Sequence, residues 1–170
     1  MKYHLLALII TIITTSCVEP QNTKNKSGVV ISMAQAIEMK NKDIKHLDVK
    51  EFLKRVEQKD DTMVIVDVRT KKEQMQSMIP GAMPKELFEK HMKHFKGKDI
   101  ISYCTIGGRS SEYTRELKEK GFKAMSLQGG ILSWVHHGGK VYMDDKEVKS
   151  IGILNEAWNL MPEGYKGVTP

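Results

Sequence analysis

The stretch "KDIISYCTIGGRSSEYTRELKEKG", residues 98 to 121, decides the fold. It opens on a short apolar run that is typical of a buried parallel strand and that leads straight into Cys104. Two glycines follow, and the next segment has helical spacing up to Gly121, which suits a left-handed helix cap. The pattern predicts a strand, a loop and a helix. Cys104 then stands at the carboxyl end of the strand, where parallel α/β sheets bind their ligands.

The rest of the chain repeats this alternation of strands and helices. The runs "TMVIVDV" (62–68) and "FKAMSLQGG" (122–130) predict two more buried strands. Helical spacing marks "SMAQAIEMKNK" (32–42), with Ser32 as a cap, and "HLDVKEFLKRVEQK" (46–59), with Asp48 as a cap. The other predicted helices are "KKEQMQSM" (71–78), "KELFEKHMKHF" (85–95) and "ILSWVHHGG" (131–139). We therefore expect an α/β fold with a central, mainly parallel sheet and helices on both faces.

Composition limits the classes of function. The 170 residues suffice for one domain, and 40% hydrophobic with 28% charged residues is typical of a globular chain. The net charge of +6 comes from basic residues that alternate with acids along the predicted helices, as on solvated helix faces. Because no clustered basic patch with interleaved aromatic residues is visible, we expect no nucleic-acid partner.

The N-terminus, "MKYHLLALIITIITTSC", differs in kind from the rest. Its apolar run from Leu5 to Ile13 is too short for a membrane span, which needs about 20 residues. A basic tip, a short apolar core and small residues predict a secretory signal peptide over residues 1–16. The cysteine that follows, Cys17, resembles the lipid-attachment site of bacterial lipoproteins. This resemblance implies a lipid anchor in the membrane and a place in the cell envelope, facing the periplasm or otherwise outside the cytoplasm. An ordinary signal peptide or an uncleaved anchor is the alternative.

The loop after Cys104 predicts a reactive sulfur. If Cys17 is acylated, Cys104 is the one free thiol, because the chain has two cysteines. Gly107 and Gly108 let the backbone curl so that successive N–H groups point inward, above the N-terminus of a helix. These groups, with Arg109 if it folds over the sulfur, favour the thiolate form.

Four stretches in this order resemble a rhodanese-like sulfurtransferase domain: "VIVDVRTKKE", "IPGAM", "SYCTIGGRSSEYTRELKEKGF" and "LQGGILSW". The resemblance covers about residues 45 to 140. The chain then divides into the signal peptide (1–16), a lipid anchor and polar tether (17–28), a rhodanese-like domain (29–140) and a C-terminal extension (141–170). We expect the extension to pack on the domain through its apolar residues Trp158, Leu160, Met161 and Tyr165.

The resemblance implies a chemical role for each residue of the loop. Cys104 would take the outer sulfur of a donor, carry it as a persulfide and pass it to a thiol or to cyanide. The donor would be a small sulfur-containing anion or a persulfide: thiosulfate, a persulfide or a polysulfide. The implied substrate-binding residues are Thr105, Ile106, Gly107, Gly108 and Arg109. Asp67 and Arg69 match the family's Asp-x-Arg and would support the loop. Since Thr105 and Ile106 are neutral, a persulfide or polysulfide is expected to be a better donor than thiosulfate.

The resemblance implies no cofactor. We also expect no metal site, since His91 and His94 share a helix but lack a third ligand.

Two other functions stay open at this point. Related phosphatases place five residues between the cysteine and the arginine, whereas this loop has four, Thr105 to Gly108, and an arsenate reductase would usually also need a resolving cysteine. A non-catalytic binding or sensing module of the same family is the second alternative. The presence of both Cys104 and Arg109 favours an enzyme.

Overall fold

A five-stranded parallel sheet forms the centre of the molecule. The computed structural model describes residues 21–170, with side chains from Asn25 onward, so the predicted signal peptide and Cys17 lie outside the described residues. The strand order is β1-β5-β4-β2-β3, and all four pairs of neighbours are parallel. The strands are β1 Lys45–Leu47, β2 Met63–Asp67, β3 Ala82–Pro84, β4 Asp99–Tyr103 and β5 Lys123–Leu127.

Helices cover both faces of this sheet. They are α1 Gln21–Lys40, α2 Val49–Glu57, α3 Lys71–Gln74, α4 Lys85–His91, α5 Gly108–Glu119 and α6 Gly130–His136, with a 3-10 helix over Met92–Phe95. Alternate residues of the strands face opposite sides: Ile65 and Ile101 pack with α2 and α6, whereas Val64 and Ile100 pack with α4 and α5. The predicted α/β architecture is confirmed.

Three strands follow the predicted runs, and the two edge strands do not. β1 and β3 are three residues long, "KHL" and "AMP", and such short segments carry no readable period. They form because each edge of the sheet pairs with one more segment, β1 with β5 and β3 with β2. Asp48 caps α2 as expected, since its carboxylate accepts the backbone N–H groups of Lys50 and Glu51.

Helix α1 begins earlier than the sequence predicts. Ser32 lies in its interior rather than at its start, and residues 21–28, predicted as part of a polar tether, are helical. The apolar spacing begins before Ser32: Val30 and Ala34 are buried, and Ile37 continues the same face onto the core. Tertiary packing of this face outweighs the polar composition of the first turns. Over residues 21–170, no helix is both long and apolar enough to cross a membrane.

The C-terminal extension packs against the α2 and α6 side of the domain. It contains a hairpin of β6 Val141–Met143 and β7 Lys146–Val148, a parallel pair of β8 Ser150–Gly152 and β9 Lys166–Val168, and a 3-10 helix over Glu156–Trp158. Ile151, Ile153 and Met161 are buried in the same cluster as the strands. The extension is therefore part of the domain's core.

Candidate active site

Cys104 directly follows β4, the middle strand of the sheet. Cys104 is buried, with 2% of its surface exposed. It is a free thiol. The backbone N–H of Gly107 donates to its sulfur at 3.1 Å, and the Ser110 hydroxyl lies 3.7 Å away. The loop between Cys104 and Arg109 thus curls back on the sulfur, with Gly107 at a φ of 123°, which favours glycine.

The first turn of α6 orients the loop. The N–H groups of Ile131 and Leu132 donate to the carbonyl oxygens of Cys104 and Thr105 at 2.9 and 3.1 Å. Peptide groups are planar and trans here, so a carbonyl that points to α6 sends the N–H of the same peptide to the opposite side. The N–H groups of Thr105 and Ile106 consequently face away from α6.

This contact needs glycine at the start of α6. A Cβ on Gly130 would lie 2.4 Å from the Cys104 carbonyl oxygen and 2.8 Å from that of Thr105, and the φ of 53° is unfavourable for other residues. The second glycine of "LQGG" is thereby explained, because only a residue without a side chain lets α6 approach the loop this closely.

Two pairs of buried hydroxyls connect α5 to the neighbouring strands β4 and β5. Ser110 contacts Ser126 at 2.9 Å, and Ser102 contacts Thr114 at 2.6 Å. The Ser110 and Ser111 hydroxyls also donate to the Gly107 carbonyl oxygen at 3.1 and 2.8 Å. These bonds fix the peptide group between Gly107 and Gly108. The sequence analysis did not identify this support.

Arg109 pairs with a carboxylate that the sequence analysis did not assign to the site. Its guanidinium makes two hydrogen bonds of 2.8 Å to the two oxygens of Glu73 and a third, of 3.0 Å, to the Thr105 hydroxyl. The Arg109 side chain is 33% exposed, whereas that of Glu73 is 1% exposed. The hydrogen bonds to Glu73 raise the pKa of Arg109 against the opposing effect of burial, and the nearby Cys104 sulfur raises it further.

Glu73 is held in place by its position in the first turn of α3. It forms a capping box with Thr70: the Thr70 N–H donates to Glu73 at 2.9 Å, and the Glu73 N–H donates to the Thr70 hydroxyl at 3.3 Å. Burial alone would raise the pKa of Glu73, but the hydrogen bonds from Arg109 and Thr70 outweigh it and hold the pKa at about 2. Glu73 is thus a carboxylate at neutral pH, and it neutralises the charge of Arg109. The Thr-x-x-Glu spacing was the available signal in the sequence.

Asp67 and Arg69, predicted to support the loop, form a fully buried ion pair of 2.6 Å. The Tyr103 hydroxyl donates to Asp67 at 2.6 Å, so the residue before Cys104 is tied to this pair. Arg69 also donates to the carbonyl oxygens of Ser77 and Gly152, at 2.6 and 3.2 Å. The pair connects the end of β2, the end of β4 and the C-terminal extension, and neither residue lines the cleft over the sulfur.

A cleft of about 180 Å³ opens over Cys104. The loop contributes Cys104, Thr105, Ile106, Gly108 and Arg109, and three apolar side chains come from elsewhere: Ile37, Leu154 and Trp158. Of the predicted loop residues, Gly107 does not line the cleft and instead donates to the sulfur. Sequence reasoning missed the three apolar residues because α1 and the extension reach the cleft only through tertiary packing.

The part of the chain that the structure describes holds no cluster of three or more His, Cys, Asp or Glu side chains suited to a metal ion. The rings of His91 and His94 lie 6.1 Å apart on the other side of the sheet from α6.

The family model for the rhodanese-like domain matches residues 48–137. The chain belongs to this family. The matched part of this rhodanese-like chain contains the loop, Glu73 and the Asp67–Arg69 pair, whereas Ile37, Leu154 and Trp158 lie outside it.

Curated relatives include proteins named for sulfur transfer. A protein named "Sulfurtransferase" from Allochromatium vinosum is 32% identical over 99 residues, which are 56% of this chain and 92% of that protein. A tRNA uridine(34) hydroxylase from Cytophaga hutchinsonii is 29% identical over 125 residues, 68% of this chain but only 39% of the hydroxylase. The relatives thus support a rhodanese-type enzyme at the level of the family.

Solved structures show the same fold. A thiosulfate sulfurtransferase from Pseudomonas aeruginosa matches 81% of this chain and 26% of its own, with a TM-score of 0.56 and 18% identity. The BH2092 protein from Bacillus halodurans matches 66% of this chain and 85% of its own, with a TM-score of 0.54 and 24% identity.

We predict that Glu73→Gln lowers the free energy of unfolding by about 1–2 kcal/mol at pH 7, because the variant loses a charged partner of the partly exposed Arg109. The pKa of Glu73 is about 2 in the folded protein and 4.5 as an ordinary value, so its carboxylate stabilises the fold above pH 4.5. That contribution is lost as the pH falls from 4.5 towards 2. Urea unfolding at pH 7, 4.5 and 3 should therefore show the difference between wild type and variant shrinking with acid.

Glu89→Gln is the matched control, since Glu89 forms an exposed pair with Lys85 at 3.8 Å. We expect it to change the unfolding free energy little at any of these pH values. A Glu73→Gln difference that stays constant down to pH 3 would contradict the ion-pair assignment.

Proposed function

We propose that this protein is a sulfurtransferase that carries a sulfane sulfur as a persulfide on Cys104. The observation that carries the proposal is the 3.1 Å hydrogen bond from the Gly107 N–H to the Cys104 sulfur, in a loop whose peptide groups α6 orients. A hydrogen bond to sulfur at the start of a helix stabilises negative charge there, and the thiolate is the nucleophilic form.

The reaction has two balanced steps. In the first, the Cys104 thiolate attacks the outer sulfur of a donor R–S–SH. A new S–S bond forms to Cys104, the S–S bond of the donor breaks, and its electron pair leaves with the thiolate RS⁻. In the second, an acceptor thiolate attacks the outer sulfur of the Cys104 persulfide and restores the Cys104 thiolate. No net oxidant or reductant is needed.

The loop offers donors for the charge of the persulfide. Within residues 21–170, the backbone N–H groups of Thr105, Ile106, Gly108 and Arg109 have no acceptor in the protein. Two of these, from Thr105 and Ile106, face away from α6, because the carbonyl groups of the same peptides bind α6. Backbone donors that are fixed before the reaction stabilise developing charge without reorganisation.

The charge balance of the cleft favours a donor with little negative charge. Among the residues that the structure describes, Arg109 is the one cationic residue that lines the cleft, and Glu73 already neutralises it. Thiosulfate carries two negative charges and would meet no unpaired cation among these lining residues. This balance supports a persulfide or polysulfide as the donor. It also disfavours phosphate-ester hydrolysis, which would need to hold a doubly charged group.

We predict that wild-type protein incubated with glutathione persulfide gains the mass of one sulfur atom and loses it on addition of excess dithiothreitol. Cys104→Ser should load at least about a thousand-fold more slowly while its circular dichroism stays unchanged, because the nucleophile is gone. Intact-mass spectrometry against time measures both.

Cys17→Ser is the matched control, since Cys17 is the other cysteine of the chain, and it should load like wild type. Loading of Cys104→Ser at the wild-type rate would contradict the mechanism. Failure of the wild type to load would instead favour a non-catalytic module.

We also propose that a lipid on Cys17 anchors the protein to a membrane, because residues 1–17 have the pattern of a lipoprotein signal. Cells fed an alkyne-tagged fatty acid should label wild-type protein, and the protein should sediment with membranes. Cys17→Ala should lose the label, whereas Ser16→Ala should retain it, because the acylated thiol is still present. An unlabelled wild type would contradict the anchor.

A further inference from the structure

The mouth of the cleft is built from segments outside the matched rhodanese-like region. Ile37 belongs to α1, and Leu154 and Trp158 belong to the C-terminal extension. Ile37 packs on the loop itself, since a Cβ on Gly107 would lie 3.5 Å from its Cγ2. Both ends of the described chain thus add apolar surface beside the sulfur.

Leu154 is held at the mouth although it is 52% exposed. The residue before it, Ile153, is fully buried, and the N–H of Ile153 donates to the Val168 carbonyl oxygen at 2.9 Å. One residue earlier, the Gly152 carbonyl accepts a hydrogen bond from the buried Arg69. The backbone that leads to Leu154 is therefore fixed. The side chain of Leu154 is exposed because this backbone holds it at the mouth of the cleft.

Trp158 completes the apolar rim. Trp158 is the last residue of the 3-10 helix over Glu156–Trp158. Asn155 caps this helix, since its side-chain oxygen accepts the Ala157 N–H at 3.0 Å. The Trp158 ring packs against the core cluster. Apart from the neutralised Arg109, no charged side chain of the described residues lines the cleft. Such a surface favours an apolar body and disfavours a charged one, which would lose hydration without gaining a partner.

We infer that the cleft selects acceptor thiols with an alkyl body, which contacts Ile37, Leu154 and Trp158 while the thiol reaches the sulfur carried on Cys104. This inference rests on the proposed sulfur transfer and names its substrate class. The alkyl thiolate attacks the outer sulfur of the Cys104 persulfide, forms an alkyl persulfide and releases the Cys104 thiolate with the electron pair of the broken S–S bond. The cleft of about 180 Å³ is small, so it suits a short alkyl chain rather than a bulky body.

The test follows the discharge of sulfur from persulfide-loaded protein to a series of acceptors: ethanethiol, 1-propanethiol, 1-butanethiol and 1-pentanethiol. These thiols share one reactive group and differ only in buried methylenes. The second-order rate constant should rise about two- to four-fold per methylene. 3-Mercaptopropionate, which has a carboxylate near the end of a comparable chain, should react more slowly than 1-butanethiol.

Two pairs of variants assign the effect to the mouth. Leu154→Ser and Ile37→Ser should flatten the series. Leu87→Ser, an equally exposed leucine on α4 at 47%, and Ile31→Ser, on α1 at 45%, should keep the wild-type slope. The rate at which each variant loads sulfur from glutathione persulfide, compared with the wild-type rate, shows whether the variant is folded and chemically competent.

The outcomes separate the two proposals. A flat series in wild-type protein that loads sulfur normally would overturn this inference and leave the sulfurtransferase intact. A slope that survives both mouth variants would also overturn it. If Cys104 takes up no sulfur from any donor, the proposed function fails, and this inference fails with it.

Discussion

The peptide groups that follow Cys104 can face only one way, because the first turn of α6 binds their carbonyl oxygens. Ile131 and Leu132 hold the carbonyls of Cys104 and Thr105 at 2.9 and 3.1 Å, and Gly130 permits the approach since it has no side chain. The N–H groups of the same peptides are left on the opposite side, and the Gly107 N–H reaches the sulfur. The first turn of α6 thus sets the direction of the peptide groups that surround the sulfur.

Two carboxylate–guanidinium pairs support this loop, one fully buried and one with a partly exposed arginine, and they have different roles. Asp67 and Arg69 are enclosed in the core, where they tie Tyr103 and the C-terminal extension to the sheet. Glu73 is equally buried but pairs with Arg109 at the edge of the cleft. The extension contacts both, since a Cβ on Gly152 would lie 2.4 Å from the Glu73 carbonyl oxygen. The result is a site whose cation is neutralised and whose rim is apolar. On this basis we propose an organic persulfide rather than thiosulfate as the donor.

The sequence predicted the parts of the fold that local patterns specify. The apolar runs of β2, β4 and β5 and the cap at Asp48 were readable, because burial and capping act within a few residues. The edge strands β1 and β3 and the early start of α1 depend on partners distant in sequence, so no local period marks them. The same reason explains the site. Cys104 and its loop are contiguous and were identified from their motif, whereas Glu73, Ile37, Leu154 and Trp158 reach it only in the folded protein.

A crystal structure of the protein after reaction with a persulfide donor would test the orientation of the loop most directly. We expect one additional sulfur bonded to the Cys104 Sγ, within hydrogen-bond distance of backbone N–H groups between Thr105 and Arg109, with the carbonyls of Cys104 and Thr105 still bound to α6. An added sulfur that faces carbonyl oxygens of the loop, or that makes no contact with its N–H groups, would contradict it.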